Sequence, residues 1–146
     1  LSPSFMSAPD HLMVGFHIEE AVYAPMYWEY GRKGEYSERS MLARYTEKNL
    51  LAAAPDTVLV LLKASPDVIR RRMKESPHRR QIMNDQDVER SLELFGEQFT
   101  DTLIRNKFEI DTSSATVDQT LAEFVRGMLP MLTDADRLRM LTKATS

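Results

Sequence analysis

The sequence predicts an α/β fold, because short apolar segments alternate with amphipathic ones along the chain. Such alternation is typical of a parallel sheet whose strands are joined by helices. Residues 57–63, TVLVLLK, form a continuous apolar run, as expected of a strand buried on both faces. Residues 107–111, KFEID, predict a second short strand. We expect these two strands to be adjacent and parallel.

The first third of the chain is less regular. Residues 11–18, HLMVGFHI, are apolar without a helical period, so we expect a third buried strand there, parallel to the others. Residues 19–36 are rich in aromatic residues, Gly and Pro, and predict a long irregular connection with at most a helical turn. Ser37 is expected to cap a helix over 38–53.

Two helices flanking a polar loop are predicted in the middle of the chain. Ser65 is an expected N-cap, and Pro66 suits the first helical position. This helix should stop before Pro77, and residues 76–84 should form an exposed loop. The next helix should start at Asn84 or Asp85, with one apolar stripe: Val88, Leu92, Phe95, Phe99 and Leu103.

The C-terminal part predicts two capped helices. Thr116 and Gln119 have the spacing of a capping box, and Thr133 and Asp136 repeat it for a short helix over 134–143. The apolar stripe that follows Thr116 consists of Val117, Leu121, Phe124, Val125, Met128 and Leu132.

Composition restricts the possible partners. The 146 residues suit one domain, and the absence of cysteine excludes disulfides and thiolate metal sites. Three scattered histidines give no metal-ligand spacing. No segment resembles a membrane span or a signal peptide, so we expect a cytoplasmic protein with no membrane partner. The net charge of −3 argues against binding a nucleic acid polymer. A homodimer remains open.

Positive charge is concentrated in residues 63–80, which hold seven Lys/Arg and two Asp/Glu, a net +5 that leaves −8 for the rest. Guanidinium groups make bidentate bonds to phosphate, so Arg70, Arg71 and Arg72 are candidate phosphate-binding residues. The alternative is a solvated basic helix face. Successive helical residues point about 100° apart, so all three cannot face one ligand.

The segment VLVLLKASPDVIRRRMKE resembles the strand, turn and helix that enter the lid of P-loop nucleoside and nucleoside-monophosphate kinases, of the thymidylate kinase and deoxynucleoside kinase kind. KFEIDTSSATVDQTLAEFV is similar to the family's last core strand and C-terminal helix. The resemblance spans roughly residues 11–132. It implies a three-layer P-loop NTPase-like parallel sheet, a lid over about 64–105, catalytic Arg79 and Arg80 in that lid, and ATP and Mg²⁺ as cofactors.

The same resemblance implies an acceptor site near FHIEEAVY. Glu19 stands at the position of the family's catalytic carboxylate, although the family's following Arg and Ser are replaced here by Glu20 and Ala21. The alternative is that the two glutamates simply begin a helix. The implied acceptor-binding residues for a small phosphate acceptor, which could instead pack as a core, are Tyr23, Tyr27, Trp28 and Tyr30.

The phosphate loop of this family is not found in the sequence. None of the five glycines is followed by Lys-Ser/Thr, as that loop requires. We therefore expect an incomplete kinase-like domain without its first βα unit, inactive alone and without tight binding of ATP. Two alternatives remain open: a non-catalytic interaction module, and a small-anion-binding protein derived from a kinase fold.

Overall fold

The computed structural model describes residues 11–77 and 82–144, except for the side chains of residues 143 and 144. Within them the chain is an α/β structure made mostly of helices. In chain order the elements are α1 (Phe16–Tyr27), α2 (Arg39–Ala53), β1 (Val58–Lys63), α3 (Pro66–Glu75), α4 (Val88–Asp101), β2 (Asn106–Asp111), α5 (Val117–Met128) and α6 (Asp134–Ala144). Single 3₁₀ turns, Asp85–Asp87 and Leu129–Met131, precede α4 and follow α5.

The two strands pair in parallel, as the sequence predicts. Their register runs from Val58 opposite Asn106 to Lys63 opposite Asp111. In the described part of the chain the sheet has these two strands. Both strands therefore end at one edge of the sheet, and the segments that follow them start side by side.

Helices lie near both faces of this sheet. The ring of Phe108 lies 6.3 Å from that of Phe124 on α5, and a Cβ added at Gly127 would stand 2.4 Å from it. Lys107 points the opposite way, because side chains alternate along a strand. Its Nζ donates to the carbonyl of Phe99 at 2.6 Å, near the end of α4. α5 therefore covers one face of β2, and the end of α4 meets the other.

The strand predicted over residues 11–18 is wrong. Residues 11–15 are irregular, and α1 starts at Phe16 and continues to Tyr27 through the predicted connection. Gly15 precedes α1 with φ of 73°, a conformation that favours glycine. The buried residues Ala21 and Ala24 lie on one helical face together with His17, which the short apolar window did not reveal.

Helices α1, α2 and α4 pack together as the main helical unit. Val22 and Ala24 of α1 and Val88 of α4 are completely buried, and Ala43 and Leu50 of α2 nearly so. The predicted boundary of α2 is off by one residue, because Glu38 occupies the cap position that we assigned to Ser37.

The predicted helices around the polar loop are present, with three corrections. α3 starts at Pro66 behind Ser65, although the Ser65 side chain makes no capping bond. α4 starts three residues later than expected, because a 3₁₀ turn follows Asn84. Its stripe ends with Phe99, since the helix stops at Asp101 and Leu103 is 46 % exposed. The predicted loop 76–84 is only partly described.

Both C-terminal caps are confirmed. Thr116 Oγ1 accepts from the backbone N–H of Gln119, whose side chain accepts from Thr116 N at 2.8 Å. Thr133 and Asp136 repeat the reciprocal pair before α6. The predicted stripe of α5 is largely uncovered, however. Its most exposed members are Val117 at 84 %, Leu121 at 58 % and Val125 at 48 %.

Candidate functional site

The carboxyl edge of the sheet is held by bonds between the two segments that leave it. Thr112 N donates to the carbonyl of Lys63 at 2.7 Å, and Ser65 N donates to Ser113 Oγ at 2.8 Å. Ser113 also donates twice to the carboxylate of Asp111, and these bonds lower the pKa of that carboxyl. Lys63 contacts Glu109, which raises the pKa of the lysine. The segments at this edge are therefore hydrogen-bonded to each other, and Lys63 is paired with Glu109.

Arg72 belongs to this structural connection. Its Nη1 donates to Thr112 Oγ1 at 2.9 Å and its Nη2 to the Thr112 carbonyl at 2.5 Å. Both bonds fix α3 to the end of β2. Arg72, predicted to bind phosphate, thus has its two terminal nitrogens directed at protein groups in this structure.

Arg70 points instead at the start of α4. Its Nη2 donates to both carboxylate oxygens of Glu89, at 2.6 Å for Oε1, and its Nε donates to the carbonyl of Asp85 at 3.1 Å. Asp67 lies 3.6 Å from Nη1. The bond to Arg70 lowers the pKa of Glu89, and the bond to Glu89 raises that of Arg70. Arg70 joins α3 to α4.

Arg71 is more exposed than Arg70. Its side chain is 62 % exposed, and its Nε lies 3.8 Å from Glu75. It lines an open depression of about 500 Å³ on α3, together with Asp67, Arg70, Lys74 and Glu75. The three consecutive arginines contact three different partners, Glu89, Glu75 and Thr112, although Arg70 and Arg71 line the same depression. The depression therefore combines Arg70 and Arg71 with Lys74, which the sequence argument had not singled out.

The remaining predicted catalytic residues are only partly placed. Arg79 and Arg80 lie outside the described residues. Glu19 lies in the first turn of α1, so it does not follow a strand as the resemblance implied. Its carboxyl carbon would be 2.1 Å from a Cβ added at Gly15, so the side chain folds back over that glycine. This location agrees with the alternative that Glu19 begins a helix.

Two of the predicted acceptor residues pack between α1 and α4. The ring of Tyr23 lies 6.0 Å from that of Tyr27 and 5.5 Å, edge to face, from that of Phe95. Burial, and secondarily the charge of Glu19, raises the pKa of Tyr23. The Tyr27 hydroxyl donates to Asp87 at 3.0 Å. Burial and that bond raise the pKa of Tyr27.

The other aromatic residues lie beyond the end of α1. The Tyr30 hydroxyl donates to Glu20 at 3.1 Å, and the guanidinium of Arg39 lies over the Tyr30 ring, 4.7 Å from its centre. Trp28 is 49 % exposed. Tyr23 and Tyr27 thus contact residues at the start and middle of α4, whereas Tyr30 contacts Glu20 and Arg39.

The start of α4 connects the two candidate regions. Asp87 accepts from Tyr27 of α1, and Glu89, two residues later, accepts from Arg70 of α3. One predicted phosphate-binding residue, Arg70, and one predicted acceptor-binding residue, Tyr27, are therefore held from the same short segment. Acidic residues at the start of this helix also suit the positive end of its dipole.

A buried carboxylate that the sequence analysis missed holds the helical unit together. Glu47 of α2 is completely buried. Its oxygens accept from His17 Nε2 at 2.9 Å, Thr102 Oγ1 at 2.7 Å and Leu103 N at 2.9 Å, and they pair with Arg44. Burial alone would raise the pKa of Glu47, but these bonds and the arginine charge outweigh it and lower the pKa. Its partners are up to 56 residues away, so no local pattern marks it.

Searches for metal-ligand clusters and membrane spans are negative over the described ranges. In residues 11–77 and 82–144, no three His, Asp or Glu side chains converge as a metal site would require. Over the same ranges, no helix has the length and apolar character needed to cross a bilayer.

Comparison with known proteins gives no relative. No family model, no curated protein and no solved structure matches the chain.

Proposed function

We propose that the chain is the lid-bearing part of a cytoplasmic, ATP-dependent phosphotransferase with a P-loop NTPase-like sheet, acting on a nucleoside, a nucleotide or a similar small acceptor. Arg79 and Arg80 would act on the transferring group. The phosphate loop, with Mg²⁺ at the phosphates, would be supplied by a segment outside this sequence. Phosphoryl transfer relies on positioning and charge stabilisation, and a closing basic segment can supply part of both.

One observation carries this proposal. Helix α3, which carries Arg70, Arg71 and Lys74, follows the carboxyl end of a parallel strand, the side of such sheets where ligands bind. These three cations line one open depression together with Asp67 and Glu75, and the five residues have a net charge of +1.

The start of α4 brings an acceptor candidate near. Tyr27 donates to Asp87 just before α4, and Glu89 in the first turn of α4 accepts from Arg70. A phosphate-bearing ligand at Arg70 and a planar acceptor at Tyr27 would thus both lie near the start of α4.

The test measures phosphoryl transfer from ATP to a panel of nucleosides and nucleoside monophosphates. The assay compares residues 1–146 with the full product of the reading frame that contains them. We expect turnover in the full product and none in the 146 residues, which contain no Gly-x-x-x-x-Gly-Lys-Ser/Thr segment. In the active product, Arg79→Ala and Arg80→Ala should lower kcat by at least about tenfold while the unfolding midpoint is nearly unchanged. Absence of transfer in the full product would refute the proposal.

A second candidate function, a non-catalytic interaction module, is favoured by the uncovered apolar residues. Leu62 is 60 % exposed, and much of the α5 stripe is exposed as well. Exposed apolar patches of this kind mark interaction surfaces in many proteins. Loss of complex formation in Leu62→Lys, without loss of any transfer activity, would favour this candidate. A third, small-anion binding without catalysis, would show oligophosphate binding but no transfer in the full product.

A further inference from the structure

Each cation of the depression on α3 is paired with an acidic side chain in this structure. Glu89 accepts from Arg70 with both carboxylate oxygens, Asp67 lies 3.6 Å from the same guanidinium, and Lys74 lies 3.7 Å from Asp85. The Arg70–Glu89 contact is the tightest of these. An anion that uses Arg70 must therefore exchange with Glu89, whose side chain is 52 % exposed.

We propose that Glu89 is an internal competitor for the ligand of this depression. Its carboxylate accepts the hydrogen bonds of Arg70 Nη2 in the absence of ligand. An oligophosphate, such as the phosphate chain of a nucleoside triphosphate, would replace the carboxylate as the acceptor. This inference rests on the proposed function, because it assigns phosphate binding to the same arginine.

The geometry of Arg70 suits such an exchange. Carboxylates and phosphates use the same planar donors of a guanidinium, so one can replace the other. The Nε of Arg70 donates to a backbone carbonyl, that of Asp85, at 3.1 Å, and this neutral contact need not break. Arg70 would thus stay oriented against the 3₁₀ turn while its Nη2 changes partner.

The neighbouring cations define the rest of the site. Arg71 and Lys74 line the same depression, and both are more exposed than Arg70. Their ion pairs span 3.8 Å and 3.7 Å, so they are looser than the Arg70–Glu89 contact. Arg72 is excluded, because its donors are directed at Thr112. The cations of the site are therefore Arg70, Arg71 and Lys74, with Asp67 and Glu75 in the same lining and Glu89 opposing the ligand at Arg70.

The test is calorimetric titration of the 146-residue chain with inorganic tripolyphosphate at low ionic strength. Glu89→Gln should bind about three- to tenfold more tightly than the wild type, since it removes a competing ion pair and a repelling charge. Glu93→Gln is the matched control, because it removes the same charge one turn later on α4, where Glu93 pairs with Arg90. It should bind within about twofold of the wild type.

Arg70 supplies the second part of the test. In an Arg70→Ala background, Glu89→Gln should no longer increase the affinity. If Arg70→Ala does not fold, Arg70→Lys keeps the charge, loses the forked geometry and should show a reduced gain. Equal gains in Glu89→Gln and Glu93→Gln, no gain in Glu89→Gln, or no tripolyphosphate binding by any variant would each overturn the inference.

A parallel titration with ATP identifies the source of the phosphates and separates this inference from the proposed function. Tighter binding of ATP than of tripolyphosphate indicates a nucleotide ligand, and equal binding indicates a free oligophosphate. If the full product shows no transfer but Glu89→Gln still gains affinity, the phosphotransferase proposal fails and the competitor role stands. If the full product shows phosphoryl transfer but Glu89→Gln gains no affinity, the phosphotransferase proposal stands and the competitor role of Glu89 fails.

Discussion

The helical unit (α1, α2 and α4) and the sheet unit (β1, β2 and α5) of this molecule are stabilised in different ways. Helices α1, α2 and α4 surround a completely buried carboxylate, Glu47, whose bonds reach two of the other elements. The sheet with α5 depends on apolar contacts such as Phe108 with Phe124, and Leu62 and Leu121 stay more than half exposed beside them. The first unit is organised around a hydrogen-bonded carboxylate, and the second around apolar contacts.

The difference shows where structural specificity comes from. A buried carboxylate with several donors allows one arrangement of its partners, because an unpaired charge in the interior is costly. Apolar contacts are non-directional and tolerate more arrangements. We therefore expect the helical unit to respond strongly to single polar changes and the sheet unit to respond mainly to steric ones.

The largest expected effect is at Glu47. Glu47→Gln keeps the shape of the side chain but leaves Arg44 without its buried counter-charge and changes one acceptor into a donor. We expect a loss of about 3 kcal/mol in the free energy of unfolding, measured by urea denaturation. Glu97→Gln is the control, because that glutamate is 58 % exposed and lies 4.0 Å from Arg90. Its effect should be within about 0.5 kcal/mol. Equal losses would contradict the central role of Glu47.

The pH dependence of stability gives an independent check on Glu47. Folding lowers the pKa of this carboxyl, so its ionisation stabilises the folded protein. This contribution is fully present at pH values above the pKa of an ordinary glutamate, ~4.3. That contribution is lost as the pH falls through the lower pKa of the folded state. The difference in stability between the wild type and Glu47→Gln should therefore shrink in acid below about pH 4. A difference that is the same at pH 7 and pH 3.5 would contradict this mechanism.

Two glycine-to-alanine substitutions, one in each unit, should change the free energy of unfolding in opposite directions. Gly127→Ala places a Cβ against the Phe108 ring at the contact of α5 with β2, and we expect a net loss of about 1–2 kcal/mol. Gly96→Ala on α4 meets nothing within 4 Å, so its better helix propensity should stabilise the protein by up to about 1 kcal/mol. Thermal unfolding of the two variants measures both changes. A stabilising Gly127→Ala would refute the close packing of α5 on Phe108.

The elements that were predicted correctly have strong local signals. The apolar run of β1, the Ser65-Pro66 start of α3 and the Thr116–Gln119 capping box each depend on a few neighbouring residues. The prediction for the start of α1 was wrong because it, too, depended on a short local window. The eight-residue window ended at Ile18, before Ala21 and Ala24 complete the helical spacing that begins at His17.

The candidate site was predicted in part. The helical period correctly indicated that Arg70, Arg71 and Arg72 diverge, and the structure directs them to α4, to solvent and to Thr112. The identity of the acidic partners could not be predicted. Glu89 lies 19 residues after Arg70, and Glu47 lies 30 residues after His17, and such distant pairs leave no spacing in the sequence.

The smallest expected effect on stability is at the exposed apolar residues of the sheet unit. Leu121→Lys should change the free energy of unfolding by no more than about 0.5 kcal/mol, because this side chain is 58 % exposed and loses little burial. The same change at Leu50, which is 4 % exposed in the helical unit, buries an unpaired charge and should cost at least about 3 kcal/mol. Urea denaturation measures both, and sedimentation over a range of protein concentrations measures association. A loss above about 1 kcal/mol in Leu121→Lys would mean that this face is covered in solution. If the wild type also associates and Leu121→Lys does not, the covering surface belongs to another molecule, which favours the interaction module over the phosphotransferase lid.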